Sequence, residues 1–317
     1  MRQQLCLIAF FFINPIFQSA FIKNCMDKKD SYVANNYKRF FSDTDILAKG
    51  AEPKLISRQF SFTEGPATDK QGNIFFTDQP NNKIWKYDID GKLTLFLDNA
   101  GRSNGMYFDS RGNLISCADE KNQLWSISKD KKVKVLVKDL NGKNLNGPND
   151  VWVSPSGDMY ITDPYYQRPY WKRTQPDIEK QNVYLLPHGK TKLITVIDNM
   201  QQPNGIVGTP DGKLLYVADI QGNKTYRYKI NKDGSLSEPH LFTNLGSDGM
   251  TLDDRGNVYL TGNGVTVFNT SGEKIKHISI PENWTANVAF GGKNKNVLFI
   301  TASEAIYTVK MKVKGVE

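Results

Sequence analysis

Five segments of the chain share one pattern, and their spacing limits the fold more than any other feature. They read DKQGNIFFTD (69–78), DSRGNLISCAD (109–119), SPSGDMYITD (154–163), TPDGKLLYVAD (209–219) and DDRGNVYLTG (253–262). A degenerate sixth, GGKNKNVLFITA (291–302), follows. Gly72, Gly112, Gly157, Gly212 and Gly256 hold the turn position, where a positive φ costs glycine little, and Lys295 takes the sixth place. Each turn is preceded by a short apolar strand such as MYFD, VWVS or MTLD. An alternating strand follows, then a third (KIWKYDI, QLWSISK) and a fourth (TLFLDN, KVLVKD). Four strands recurring every 40–50 residues or so describe a β-propeller blade. The spacing predicts an all-β, six-bladed propeller over residues 51–313. The segment KLISRQFSF (54–62) supplies the strand that the last unit lacks and so closes the ring.

The N-terminus does not follow this pattern. Met1-Arg2 precedes the apolar block LCLIAFFFINPIF and then QSA, the layout of a secretory signal peptide over residues 1–20. A polar leader follows over 21–50. The block is short for a membrane span and contains Pro15, so the reading is export to the periplasm or medium, without stable membrane insertion after cleavage. An uncleaved anchor or a lipoprotein anchor at Cys25 are the alternatives. The three cysteines have no metal-ligand spacing. Net charge is +8, but the basic residues are scattered through turns, which argues against nucleic acid as a partner.

A register runs through the repeats. Eight residues before the six turn positions stand Glu64, Asn104, Asn149, Asn204, Asp248 and Asn287. In a propeller the first strand of each blade lines the central channel, so these six oxygen-bearing side chains converge on the axis. Asn, Asp and Gly also favour tight turns, which would account for each position singly. Together they point to a hard cation, because converging carboxylates repel one another and oxygen donors without sulfur or imidazole suit Ca²⁺ or Mg²⁺.

The motifs EGP at Glu64, PND at Asn149, PNG at Asn204 and DGM at Asp248 resemble the gluconolactonase/regucalcin (senescence marker protein) family of six-bladed propellers, over about residues 55–310. The resemblance implies one divalent cation in the channel, Ca²⁺ first, with Mg²⁺, Mn²⁺ or Zn²⁺ as alternatives. It implies Glu64, Asn204 and Asp248 as ligands, with Asn149 beside the metal and the substrate. It implies hydrolysis of a sugar lactone, the D-glucono-1,5-lactone type, to the aldonic acid. An arginine that regucalcin carries two residues before the third-blade Asn is replaced here by Gly147.

On this reading Asp248 is the candidate general base and Asn149 orients substrate or water. Asn104 joins the substrate contacts from the register alone. Tyr165, Tyr166, Arg168 and Trp171, in the segment YITDPYYQRPYW, offer aromatic faces and an Arg donor to a sugar ring, as a lid would. Asp78, Asp119, Asp163 and Asp219 recur at the ends of second strands and read as turn-bonding groups. No G-x-S-x-G elbow is present, and His188, His240 and His277 fit no zinc motif. The rival readings are a non-catalytic ligand-binding propeller, an aryl-ester or organophosphate hydrolase of the paraoxonase type, and a strictosidine-synthase-like enzyme.

Overall fold

A computed structural model describes residues 45–316. The expected signal peptide, most of the leader and Cys6 and Cys25 lie outside the described residues. Six four-stranded antiparallel sheets form the blades of a propeller, and the first five follow the chain from inner to outer strand. The inner strands are Thr63–Thr68, Ser103–Phe108, Val151–Val153, Pro203–Gly208, Met250–Leu252 and Thr285–Gly291. Each lies against the inner strands of its two neighbours, and the last returns to the first.

The sixth blade is assembled from both ends of this region. Lys54–Ser57 pairs antiparallel with Ala305–Lys310 and becomes its outer strand, as the sequence predicts. The compact unit begins at Ile46, five residues before the expected boundary at 51. Ile46 is fully buried, Leu47 bridges to Met311, and Lys312 N donates to the Ile46 carbonyl at 2.9 Å. At the other end the region passes 313, because Gly315 bridges back to Asp253 in the fifth blade.

Side chains of neighbouring blades interdigitate between the sheets. Trp152, Tyr160, Val207, Tyr216 and Phe242 form part of the largest apolar cluster, which spans the third, fourth and fifth blades. Aromatic pairs fix these seams: Phe75 meets Phe108 across the first and second blades at 5.2 Å, and Tyr259 meets Phe290 across the fifth and sixth at 5.3 Å. Cys117 is buried and free in the second strand of blade two. Among the described residues, no helix is long and apolar enough to cross a membrane.

Candidate active site

The inner strands lose regular pairing where the six register residues sit. Pairing with the second strand shifts between Glu64 and Ala67, Ser103 and Met106, Pro203 and Ile206, and Thr285 and Asn287. In blades three and five the regular strand starts only at Val151 and Met250, just after Asn149 and Asp248. A bulge of this kind re-aims a side chain that the pleat would send into the sheet. Glycine follows the register residue in four blades, and the contacts explain why. A Cβ on Gly65 would stand 2.0 Å from the Asn104 carbonyl oxygen, and one on Gly105 would stand 2.6 Å from that of Asn149. Only glycine lets adjacent inner strands come this close.

Glu64, Asn104, Asn149 and Asp248 line one cavity of about 600 Å³ at the end of the channel where the inner strands begin. Asn204 sits behind this wall, 1% exposed, with its amide nitrogen 2.9 Å from the Tyr166 hydroxyl. Asn287 keeps the register but does not line the cavity. Its amide donates to Glu64 Oε2 at 3.2 Å, and its own oxygen accepts Val288 N. It braces the carboxylate.

The electrostatics are unbalanced. Burial raises the Glu64 carboxyl well above its ordinary range, and the negative charges of Asp248 and Asp150 push it further. The Gly65 N–H and the Asn287 amide pull it back only in part. Asp248 keeps some access to the cavity, yet desolvation pushes it up to about 6. The Trp284 indole N–H, 2.6 Å from Asp248 Oδ2, and the Asn204 amide oppose that rise. Asn104 Oδ1 and Asn204 Oδ1 are buried and accept no hydrogen bond. Two carboxyls held above their usual range and two orphaned amide oxygens in one place match an oxygen-ligated cation.

The segment after the third blade's second strand divides in two. Tyr166 and Arg168 line the cavity, and the guanidinium lies 5.5 Å from the Tyr166 ring. Tyr165 and Trp171 do not line it. Tyr165 N donates to Gln181 Oε1, and the Trp171 ring stacks on Arg173 at 4.2 Å. Those two expected substrate contacts are instead what holds the loop to the protein. His188, His240 and His277 are exposed on turns or outer strands, and none of them lines the cavity. That arrangement lacks the catalytic histidine of the paraoxonase-type reading.

The register also misses part of the wall: Phe62, Gln79, Gln202, Ile220, Gln221 and Trp284 complete it. Gln79 and Ile220 each follow a recurring second-strand Asp, and Gln202 precedes the PNG motif by one residue. Asp150, the D of PND, is buried close enough to act on Glu64. Trp284 carries no repeat signal.

A second cavity, of about 640 Å³, opens at the other end of the inner strands, between Thr68, Phe108 and Trp152. Its carboxylates, Asp69 and Asp109, are both occupied by turn N–H groups. It is therefore the weaker candidate for chemistry, though it is the larger space.

Comparison with known proteins agrees with this geometry. The family model for the SMP-30/Gluconolactonase/LRE-like region matches residues 62–304. A gluconolactonase of Zymomonas mobilis is 28% identical over 304 residues, covering 85% of this chain and 84% of its own. Lactonase drp35 of Staphylococcus haemolyticus is 28% identical over 258 residues, 76% of each chain. Among solved structures, a gluconolactonase from Xanthomonas campestris superposes with a TM-score of 0.79 at 26% identity, covering 86% of this chain and 93% of its own. A calcium-binding regucalcin from Agrobacterium tumefaciens has the same fold, at a TM-score of 0.71 and 18% identity, over 85% of this chain and 95% of its own. Register, cavity and likeness converge, and the chain belongs to the SMP-30/gluconolactonase/LRE-like family.

Proposed function

We propose that this lactonase-type enzyme opens a sugar lactone of the D-glucono-1,5-lactone kind to the aldonic acid, and that a divalent cation at the channel mouth assists it. The observation that carries this reading is the meeting of Glu64, Asp248 and the unpartnered Asn104 amide oxygen at one cavity, with the unpartnered Asn204 amide oxygen behind its wall. Glu64, Asp248 and Asn204 would hold the cation, with Asn149 beside them. Oxygen-only donors favour Ca²⁺. Once bound, such an ion supplies Lewis acidity toward the lactone carbonyl.

The chain's own groups do the rest. Asp248, whose carboxylate faces the cavity, accepts the proton of the attacking water. Trp284 fixes one oxygen of that carboxylate. Water adds to the acyl carbon, the ring acyl–oxygen bond breaks, and the proton passes to the departing ring oxygen. Asn149 and Asn104 orient the sugar hydroxyls, and Tyr166 and Arg168 close one side of the cavity. The protein is placed outside the cytoplasm on the layout of residues 1–20 alone; N-terminal sequencing of the purified mature protein tests that.

The deciding assay follows proton release from glucono-δ-lactone before EDTA, after EDTA, and after return of Ca²⁺, Mg²⁺, Mn²⁺ or Zn²⁺. Turnover lost on chelation and restored by an ion supports the reading. Turnover indifferent to EDTA removes the cation, and no turnover with any ion favours a ligand-binding propeller.

A further inference from the structure

One member of a repeated set departs from the role of the others. Asp78, Asp163 and Asp219 end the second strands of blades one, three and four. Each carboxylate accepts N–H groups from the chain entering its own blade's inner strand: Ser61 and Phe62, Asn146 and Gly147, Gln201 and Gln202. In blade two that task falls to Asn82, whose Oδ1 accepts Arg102 N at 2.6 Å. Asp119, at the equivalent place and 1% exposed, is released from it.

Asp119 instead gathers donors from elsewhere. Its Oδ2 accepts Arg168 Nε at 2.9 Å, the Tyr170 hydroxyl at 2.5 Å and Gln79 Nε2 at 3.2 Å. Its backbone oxygen accepts Trp171 Nε1 at 3.0 Å. Gly147 makes the room: a Cβ there would stand 2.9 Å from Asp119 Oδ1 and 2.9 Å from the Trp171 ring.

We propose that Asp119 is a positioning residue, which aims Arg168 at the acyl oxygens of the lactone so that the guanidinium grips the carboxylate created by ring opening. Among the described residues, Arg168 is the single basic side chain lining the cavity. Asp119 takes its Nε edge, leaving the two Nη groups as a planar fork for a carboxylate, a geometry that lysine cannot reproduce. Donors fixed before the reaction stabilise charge as it develops and affect the neutral ground state less. The effect therefore falls mainly on kcat. This inference rests on the lactone reading above.

The experiment measures kcat and KM for glucono-δ-lactone, with the activating ion present, in Asp119→Asn, Arg168→Ala, Arg168→Lys and the Asp119→Asn/Arg168→Ala double variant, all checked for folding by circular dichroism. The expected kcat losses are ~10²–10³-fold for Arg168→Ala, close to that for Arg168→Lys, and ~10–100-fold for Asp119→Asn. The double variant is no slower than Arg168→Ala. Added guanidinium restores part of kcat to Arg168→Ala but not to the double variant. Losses that multiply, guanidinium rescue that ignores Asp119, or an Arg168→Lys enzyme with full kcat would each overturn the proposal, and the Lys variant decides if Asp119→Asn does not fold. A wild-type protein silent toward the lactone with every ion sinks the lactone reading and this inference together. A wild-type enzyme that turns over while its variants match it sinks only the inference.

Discussion

Carboxylates stand at both ends of the set of inner strands, but the two groups do different work. Where the strands end, Asp69, Asp109 and Asp253 each accept two backbone N–H groups of the following turn through one oxygen, at 2.8–3.0 Å. Burial works against Asp109, yet the Asn113 bonds and the Arg111 charge hold its carboxyl below the ordinary range; deeper burial keeps Asp253 above that range despite the same turn bonds. Where the strands begin, Glu64 and Asp248 have few donors; burial pushes both up, and the Asp248 charge pushes Glu64 further. The chemical group is the same at both ends. A carboxylate saturated by its own backbone fixes a turn, while one left short of donors is available to a cation or a proton.

The largest test of this contrast exchanges charge for amide at each end. Asp248→Asn is expected to lower kcat/KM by ~10²–10⁴-fold while leaving the fold intact, whereas Asp109→Asn leaves kcat/KM within about twofold and lowers thermal stability. Full activity in Asp248→Asn would end its assignment as the base. Next in size, millimolar Ca²⁺ is expected to raise the Tm of the wild type, and Glu64→Gln should remove that rise and cut activity ~10²-fold. The Tm shift in a calorimeter reads binding without turnover. If the variant is stabilised by Ca²⁺ as fully as the wild type, the ion sits elsewhere.

At the opposite end, Gly208→Ala puts a Cβ 2.3 Å from the Trp152 indole and is expected to cost ~1–3 kcal/mol in urea unfolding with KM unchanged. A raised KM would show that the two ends are coupled. The smallest effect concerns Asp163, whose carboxyl burial pushes up to about 7. A raised folded value means that the folded state favours the protonated form. The associated stability is complete below about pH 4 and is lost as pH rises through 7. The Tm difference between wild type and Asp163→Asn should therefore shift against the wild type over that window, and a flat difference would refute the assignment.

How much of this was readable beforehand follows from the repeat. The six blades and the closing strand were legible because a turn flanked by alternating apolar residues recurs at every blade, with glycine at its key position in five of them and Lys295 in the sixth. The register found Glu64, Asn104, Asn149 and Asp248 because identical strands place identical positions on one axis. It did not separate Asn287, which faces Glu64 and not the cavity, since a neighbour's charge decides where an amide points. The split of Tyr166 and Arg168 from Tyr165 and Trp171 lies in a loop found in one blade only, where there is no equivalent to count against. Asp119 kept the repeat's position and lost its role, because its partners come from that loop and from blade one.

The strand Lys54–Ser57 belongs to a sheet whose other members begin at Thr285. It emerges early from the ribosome and waits while five blades are made. Until the chain is nearly complete, two unpaired edges are exposed, one at each end of the ring. The first strand of one molecule offers the same hydrogen bonds to the last blade of another, so closure competes with open-ended association at high concentration. A circular permutant that joins Val316 to Asp45 through a flexible linker, and so keeps the Ile46 and Gly315 contacts, would place all four strands of the sixth blade in one continuous stretch, and should refold faster and with less aggregate than the natural order of the chain.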